Sequence, residues 1–267
     1  MALRPPGGGC VTLTIDGVVA TLTLSNPGKL NGVSLAMWDA LRAHCDALSA
    51  NPALRCVIVR GADGNFAAGG DLAEFPEVRA TLDQIYRYHV DHVAPALRAL
   101  ADCLHPTIAL IDGVCIGGGL LVAAHCDLRI AAAGSRFGAP IKQLGFAMAP
   151  DEMRGLLALL GPAVVTEMLL EGRLFDAQQA LQKGLVARVV ADDQLESAGR
   201  DSAARIASGA PLAARANKQT IRALTAQMPA LSDDEVRRLT AIWAESADYR
   251  EGLAAFLGKR TPAFAGR

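Results

Sequence analysis

The chain has 267 residues, 51% of them apolar and 20% charged, and its 26 basic and 27 acidic side chains leave a formal charge of −1. A chain of this length buries about three quarters of its unfolded surface; with a mean hydropathy of +0.26 it is not disordered and needs no metal or disulfide staple. The balanced charge gives no general attraction to nucleic acid. Residues 1–9, with Pro5-Pro6 and Gly7-Gly8-Gly9, lack an apolar run and predict a loose leader rather than a signal peptide. Val11, Leu13 and Ile15, then Val19, Thr21 and Thr23, alternate around Asp16-Gly17, which predicts a β-hairpin. Ser34 stands as an N-cap before Leu35, Trp38, Leu41, Cys45 and Leu48, which recur at helical spacing. Cys56-Val-Ile-Val59 reads as a buried strand, followed by a polar glycine-rich loop over 61–72 and a helix of about 25 residues ending near Cys103.

Strand Ile108-Ala-Leu-Ile111 leads through Asp112-Gly113 to Gly117-Gly118-Gly119 and another helix, and a strand at 128–131 comes next. These apolar strands alternating with helices predict a sheet covered on both faces. From about 150 onward the sequence reads as helix, apart from a short strand near 186–190. The expected division is an α/β core over 1–200 and a helical region over 201–267. The apolar run from Thr107 to Ala124 is broken by Asp112 and the three glycines, so no membrane span is expected there. The six cysteines (10, 45, 56, 103, 115 and 126) include no CxxC pair, which fits reduced, packed thiols in a cytoplasmic protein.

Two segments carry chemistry. At Gly117–Gly119 a glycine turn enters a helix, where unpaired N–H groups and the helix dipole can hold a phosphate or a developing oxyanion, or the glycines can serve close helix–sheet packing. The loop Phe66-Ala-Ala-Gly-Gly-Asp-Leu72 also follows a strand and offers amides near Gly70. Two such segments can pinch one carbonyl oxygen, a device worth about 3–4 kcal/mol per donor. The GxxxxGK[ST], GxGxxG and GxSxG signatures of nucleotide sites and serine hydrolases are absent.

With these segments the sequence resembles the crotonase superfamily, the enoyl-CoA hydratase/isomerase group, over about residues 11–264. The resemblance is carried by Asn26-Pro27 with Lys29-Leu-Asn31, Phe66-Ala-Ala-Gly-Gly-Asp71-Leu, Gly117-Gly-Gly119, Cys126-Asp127-Leu-Arg-Ile-Ala, Phe137-Gly138-Ala-Pro140, Ala180-Leu-Gln-Lys-Gly184 and the ending from Glu251-Gly252 to Phe264. It implies a spiral of ββα units with a C-terminal helical trimerisation region, assembled as homotrimers or dimers of trimers. It implies an acyl-CoA substrate, with no permanently bound cofactor, no metal and no nucleic-acid or membrane partner. The thioester oxygen would rest between the amides of Gly70 and Gly118. Ala68, Asp71 and Leu72 would line the adenine and pantetheine. Lys29 would lie near the phosphates, and Phe256 and Lys259 would reach the nucleotide of a neighbouring subunit.

The sequence departs from the family where hydratases carry two glutamates that grip the reacting water, because those positions are Leu121 and Ile141. Neither side chain moves a proton, so simple hydration loses help worth about 10² to 10⁴ per group. The acyl pocket is expected to be dry there and to suit a bulky or aromatic group. Asp151 and Glu152 are the best local replacements as acid/base groups, although acids after Pro150 also suit a helix start. His89 and His92, with Tyr86, form either a base-bearing or a merely packed helix face. His125 reads as a core or contact residue, and Lys142 as a surface lysine or a reader of a substrate carboxylate. The expected activity is acyl-CoA processing of hydratase/isomerase type through a thioester enolate, as in fatty acid metabolism. The alternatives are decarboxylation, thioester hydrolysis and silent acyl-CoA binding.

Overall fold

The structure is a computed structural model that describes residues 8–225 and 232–265; most of the expected leader lies outside them. Strands β1 (Cys10–Asp16) and β2 (Val19–Ser25) pair antiparallel from Cys10↔Ser25 to Asp16↔Val19, closing at Gly17 with φ +58° as the Asp-Gly signal requires. Parallel strands β3 (Cys56–Gly61), β4 (Thr107–Ile111), β6 (Leu128–Ala132) and β9 (Arg188–Val190) extend that sheet in the order β1-β2-β3-β4-β6-β9. A second sheet of very short strands, β5 (Val114–Ile116), β7 (Arg136–Gly138) and β8 (Phe175–Asp176), lies beside it in the order β5-β7-β8. Strands β4 and β6 therefore each turn directly into a strand of the second sheet, which is the repeating step of a ββα spiral. This is the crotonase fold that the motifs implied.

Alternation along the central strands sorts their side chains onto two faces. Val57, Val59, Ala109, Ile111 and Ala131 join the main core with helices Leu35–Ser49, Ala94–Ala101 and Gly118–His125. Ile58, Ile108, Leu110 and Ile130 face the other way, against Leu195 and Ala203 of helix Leu195–Ser208. The division expected at 200 falls inside this helix, so the layered core runs on to Ser208.

Ser34 caps its helix as expected, accepting the Met37 N–H. The single long helix expected after the 61–72 loop is instead broken into Phe75–Val78, Leu82–Arg87, a wide π-turn at Tyr88–Val93 and Ala94–Ala101. A Thr81–Gln84 capping box starts the second piece. Pro95, which has no N–H to give to the turn before it, stands two residues after the end of the π-turn at Val93.

Helix Pro150–Thr166 is kinked at Gly161 (φ +69°) and Pro162. Together with the turn up to Glu171 it is long and apolar enough by composition to cross a membrane.

Candidate functional site

Backbone pairing brings the two glycine segments together. Val33 donates to the Gly69 carbonyl at 2.7 Å and accepts the Asp71 N–H at 3.0 Å, a parallel bridge with Gly70 between the two partners. In that geometry the Gly70 N–H points away from Val33. Ala67 bridges to Cys115, and Ile116 donates to the Ala67 carbonyl, which aligns the loop with the start of helix Gly118–His125. As the first residue of that helix, Gly118 has an N–H without an intrahelical acceptor. Among the described residues, neither amide donates to another backbone group.

A Cβ built on Gly118 would lie 3.3 Å from the Gly69 carbonyl carbon, which is bonded to the Gly70 nitrogen. Gly70 and Gly118 thus lie close together in the wall of a cavity of about 100 Å³, several times the roughly 10–15 Å³ that one water needs. Ala68, Leu72, Leu121 and Ile141 line this same cavity.

The other predicted residues are placed differently. Asp71 is buried and holds the loop together: its Oδ2 accepts from Lys29 Nζ at 2.6 Å and from Asn26 Nδ2 at 3.2 Å, and its Oδ1 accepts the Ala73 N–H. Lys29, expected near the phosphates, is thereby tied to the glycine loop. Phe256 and Lys259 lie outside the cavity, and Phe256 is 51% exposed. Asp151 accepts from Arg154 Nε at 3.2 Å and lines a separate surface cleft with His125 and Arg222. Lys142 donates to the Leu170 carbonyl. His92 pairs with Asp39 at 2.7 Å, away from the cavity.

Of the two candidate acids, only Glu152 reaches the cavity. It is 5% exposed and its Oε1 is hydrogen-bonded to His89 Nδ1. His89 comes from the π-turn, whose wider winding puts Tyr88, His89 and Val93 all on the cavity wall. Leu121 and Ile141 give this wall apolar side chains. The lining also includes the polar groups of Trp38, Arg79, Tyr88, His89 and Glu152.

Trp38 Nε1 donates to the Tyr88 hydroxyl at 3.2 Å, and a Cβ on Gly70 would lie 3.6 Å from that oxygen. Burial raises the Tyr88 phenol well above its usual range, outweighing the opposing pull of Arg79, so it stays protonated and able to donate. The sequence reading missed Trp38, Arg79 and Tyr88 as cavity residues. For Arg79 no sequence signal exists. For Trp38 and Tyr88 the signal was the aromatic content of helices flanking the loop, which reads equally as core.

Burial raises the thiols of Cys45 and Cys115, and those of Cys56 and Cys126 are pushed up to about 12, so these side chains are packed thiols rather than nucleophiles. Among the described residues, no group of three or more His, Cys, Asp or Glu could hold a metal ion.

A family model described as Enoyl-CoA hydratase/isomerase matches residues 14–267. The chain is 33% identical over 254 residues to the 2,3-dehydroadipyl-CoA hydratase of Escherichia coli (strain K12), a match covering 93% of this chain and 96% of that one. It is 40% identical to a crystal structure of an enoyl-CoA hydratase/carnithine racemase from Magnetospirillum magneticum, with a TM-score of 0.79 and 96% of each chain covered. A crystal structure of methylmalonyl CoA decarboxylase complexed with 2S-carboxypropyl CoA is 28% identical, with a TM-score of 0.87 over the full length of both chains. With its ββα spiral, its paired glycine segments and these relatives, the chain belongs to the enoyl-CoA hydratase/isomerase family of the crotonase superfamily.

Proposed function

We propose that the protein processes acyl-CoA thioesters by stabilising an enolate, with the thioester oxygen between the amides of Gly70 and Gly118. The observation that carries this reading is that two distant chain segments each place a glycine whose backbone N–H has no backbone acceptor in the wall of one small cavity. Donors fixed in advance toward growing negative charge lower the barrier without reorganising. Tyr88 O–H is positioned to add a third donor on the Gly70 side. Glu152 takes and returns the proton, with its carboxylate oriented by His89. This makes proton shift along the acyl chain a better fit than hydration, because Leu121 and Ile141 offer a reacting water no partner. The chemistry calls for no resident cofactor; the CoA thioester is the substrate.

A second reading, decarboxylation, is favoured by the same apolar contact, since loss of CO₂ needs no activated water. Turnover of a panel of 2-enoyl-, 3-enoyl- and malonyl-type CoA thioesters separates the two, and binding without product from any member would leave a silent binder. Under the leading reading Glu152→Gln lowers enoyl-CoA turnover about 10² to 10⁴-fold with binding retained, while Asp151→Asn leaves it unchanged. Full activity in Glu152→Gln would remove Glu152 from the mechanism.

We also propose a homotrimer or dimer of trimers built through the C-terminal helices. Leu212, Ile221, Leu224 and Ile242 are each at least 61% exposed, an apolar surface a monomer would leave wet. Light scattering on the intact chain tests this, and a monomer at working concentration would refute it.

A further inference from the structure

We propose that the acyl group taken by this cavity carries a second, free carboxylate, and that Arg79 is its anchor. The inference rests on the reading of the cavity as an acyl-CoA site and narrows the substrate to monothioesters of dicarboxylic acids. Arg79 is 2% exposed and forms part of the cavity wall. Its guanidinium carbon lies 4.1 Å from the centre of the Phe75 ring, 4.8 Å from Phe146 and 5.2 Å from Tyr88, with Trp243 and Tyr249 within 5.7 Å. Nε and Nη2 are buried without a hydrogen-bond partner, and among the described residues no carboxylate lies within ion-pair distance of this side chain. The acid of the same cavity, Glu152, is already bonded to His89.

Arginine does not shed its proton in a protein, so this is a permanent cation held out of water with no counter-charge. Aromatic faces and the nearby Tyr249 hydroxyl, itself unbonded, recover part of the lost hydration, but Nε and Nη2 still make no hydrogen bond. Buried charges are normally paired. A planar carboxylate is the group that satisfies such a fork, through two parallel charge-assisted bonds. An uncharged acyl chain of the same length would leave the cation as it is. This also turns the expectation of a bulky or aromatic acyl group toward a charged one.

The phosphates of CoA could supply an anion too, so the test separates the two sources. Binding of the full-length protein to succinyl-CoA, butyryl-CoA and free CoA is measured by calorimetry. The expected result is that succinyl-CoA binds at least about tenfold tighter than butyryl-CoA. Arg79→Gln removes that preference while leaving affinity for butyryl-CoA and CoA in place, and Arg79→Lys keeps part of it. Should Arg79→Gln fail to fold, the wild-type comparison and Arg79→Lys still decide.

Equal affinity for succinyl- and butyryl-CoA, both well above free CoA, overturns the inference and leaves the acyl-CoA reading standing. An undiminished preference in Arg79→Gln overturns it as well. Loss of CoA binding rather than of the succinyl preference in Arg79→Gln would assign the cation to the nucleotide. No binding of any of the three overturns the acyl-CoA reading itself, and this inference with it.

Discussion

Gly117 holds φ at +48°, where a side chain is strained, while its two neighbours are glycine for other reasons. A Cβ on Gly119 would meet the Ala67 carbonyl oxygen at 2.3 Å, so this residue lets the helix pack onto the loop. A Cβ on Gly118 would meet Trp38 Cζ2 at 3.1 Å and the Gly69 carbonyl carbon at 3.3 Å, beside the amide proposed to hold the thioester oxygen. Close packing therefore accounts for Gly119, while the proposed oxyanion role falls on the adjacent Gly118. Gly119→Ala is expected to destabilise the protein by about 1–3 kcal/mol, as overpacked substitutions do, measured by urea denaturation. Gly118→Ala keeps the N–H but crowds the site with a methyl group, and is expected to act on catalysis more than on stability, lowering turnover about 10²-fold, as displacing an oxyanion donor does. Equal unfolding midpoints for Gly119→Ala and wild type would contradict this division of labour.

The 75–101 segment decides which side chains meet the cavity. Its apolar periodicity reads as one helix, but the chain stops after Val78, restarts on the Thr81 cap and widens over Tyr88–Val93 before Pro95. Arg79 sits at the first break, with φ −138°, which no regular helix would give it. His89 and His92 are three apart, yet the wider winding directs one to Glu152 and the other to Asp39. A restart this short leans on its cap, so Thr81→Ala is expected to cost about 1 kcal/mol in denaturant unfolding; no measurable change would show that packing alone holds it.

The hairpin, the Ser34 cap and the central strands were legible because their periods are clean and their turn chemistry is local. Strands β5, β7 and β8 were not, since two or three residues carry no period, and β8 lies in a stretch that read as helix. The glycine half of the site was legible because backbone amides need particular residues to expose them. The cage around Arg79 was not, because its rings come from five separate elements or loops and meet only in the fold.

Cations also join the C-terminal helices to the sheet layer. Lys218 pairs with Asp127 at 2.7 Å and donates to the His105 carbonyl at 3.0 Å, while Arg215 donates to the Pro52 and Leu54 carbonyls. His105 lies fully buried beneath them, with Nε2 on the Leu48 carbonyl and Nδ1 buried without a partner. Burial first, and then the Arg215 and Lys218 charges, lower its pKa against the opposing help of the Leu48 carbonyl. His125 is lowered too, again chiefly by burial, with Arg222 adding to it. Both rings are thus held neutral in the folded state and titrate at about 6.5 once unfolded. Above that pH both states are neutral and nothing is lost. As pH falls below it the unfolded chain takes up protons that the folded one refuses, so stability declines. Each histidine contributes a slope of up to about 1.4 kcal/mol per pH unit. Unfolding free energies measured between about pH 7.5 and 5.5, a unit above and below that value, are expected to fall once the pH drops below about 6.5, and His105→Gln, whatever its own stability, to show a shallower fall. A variant that keeps the full wild-type slope would place the buried proton acceptor elsewhere, because a glutamine at that position has no proton to take up.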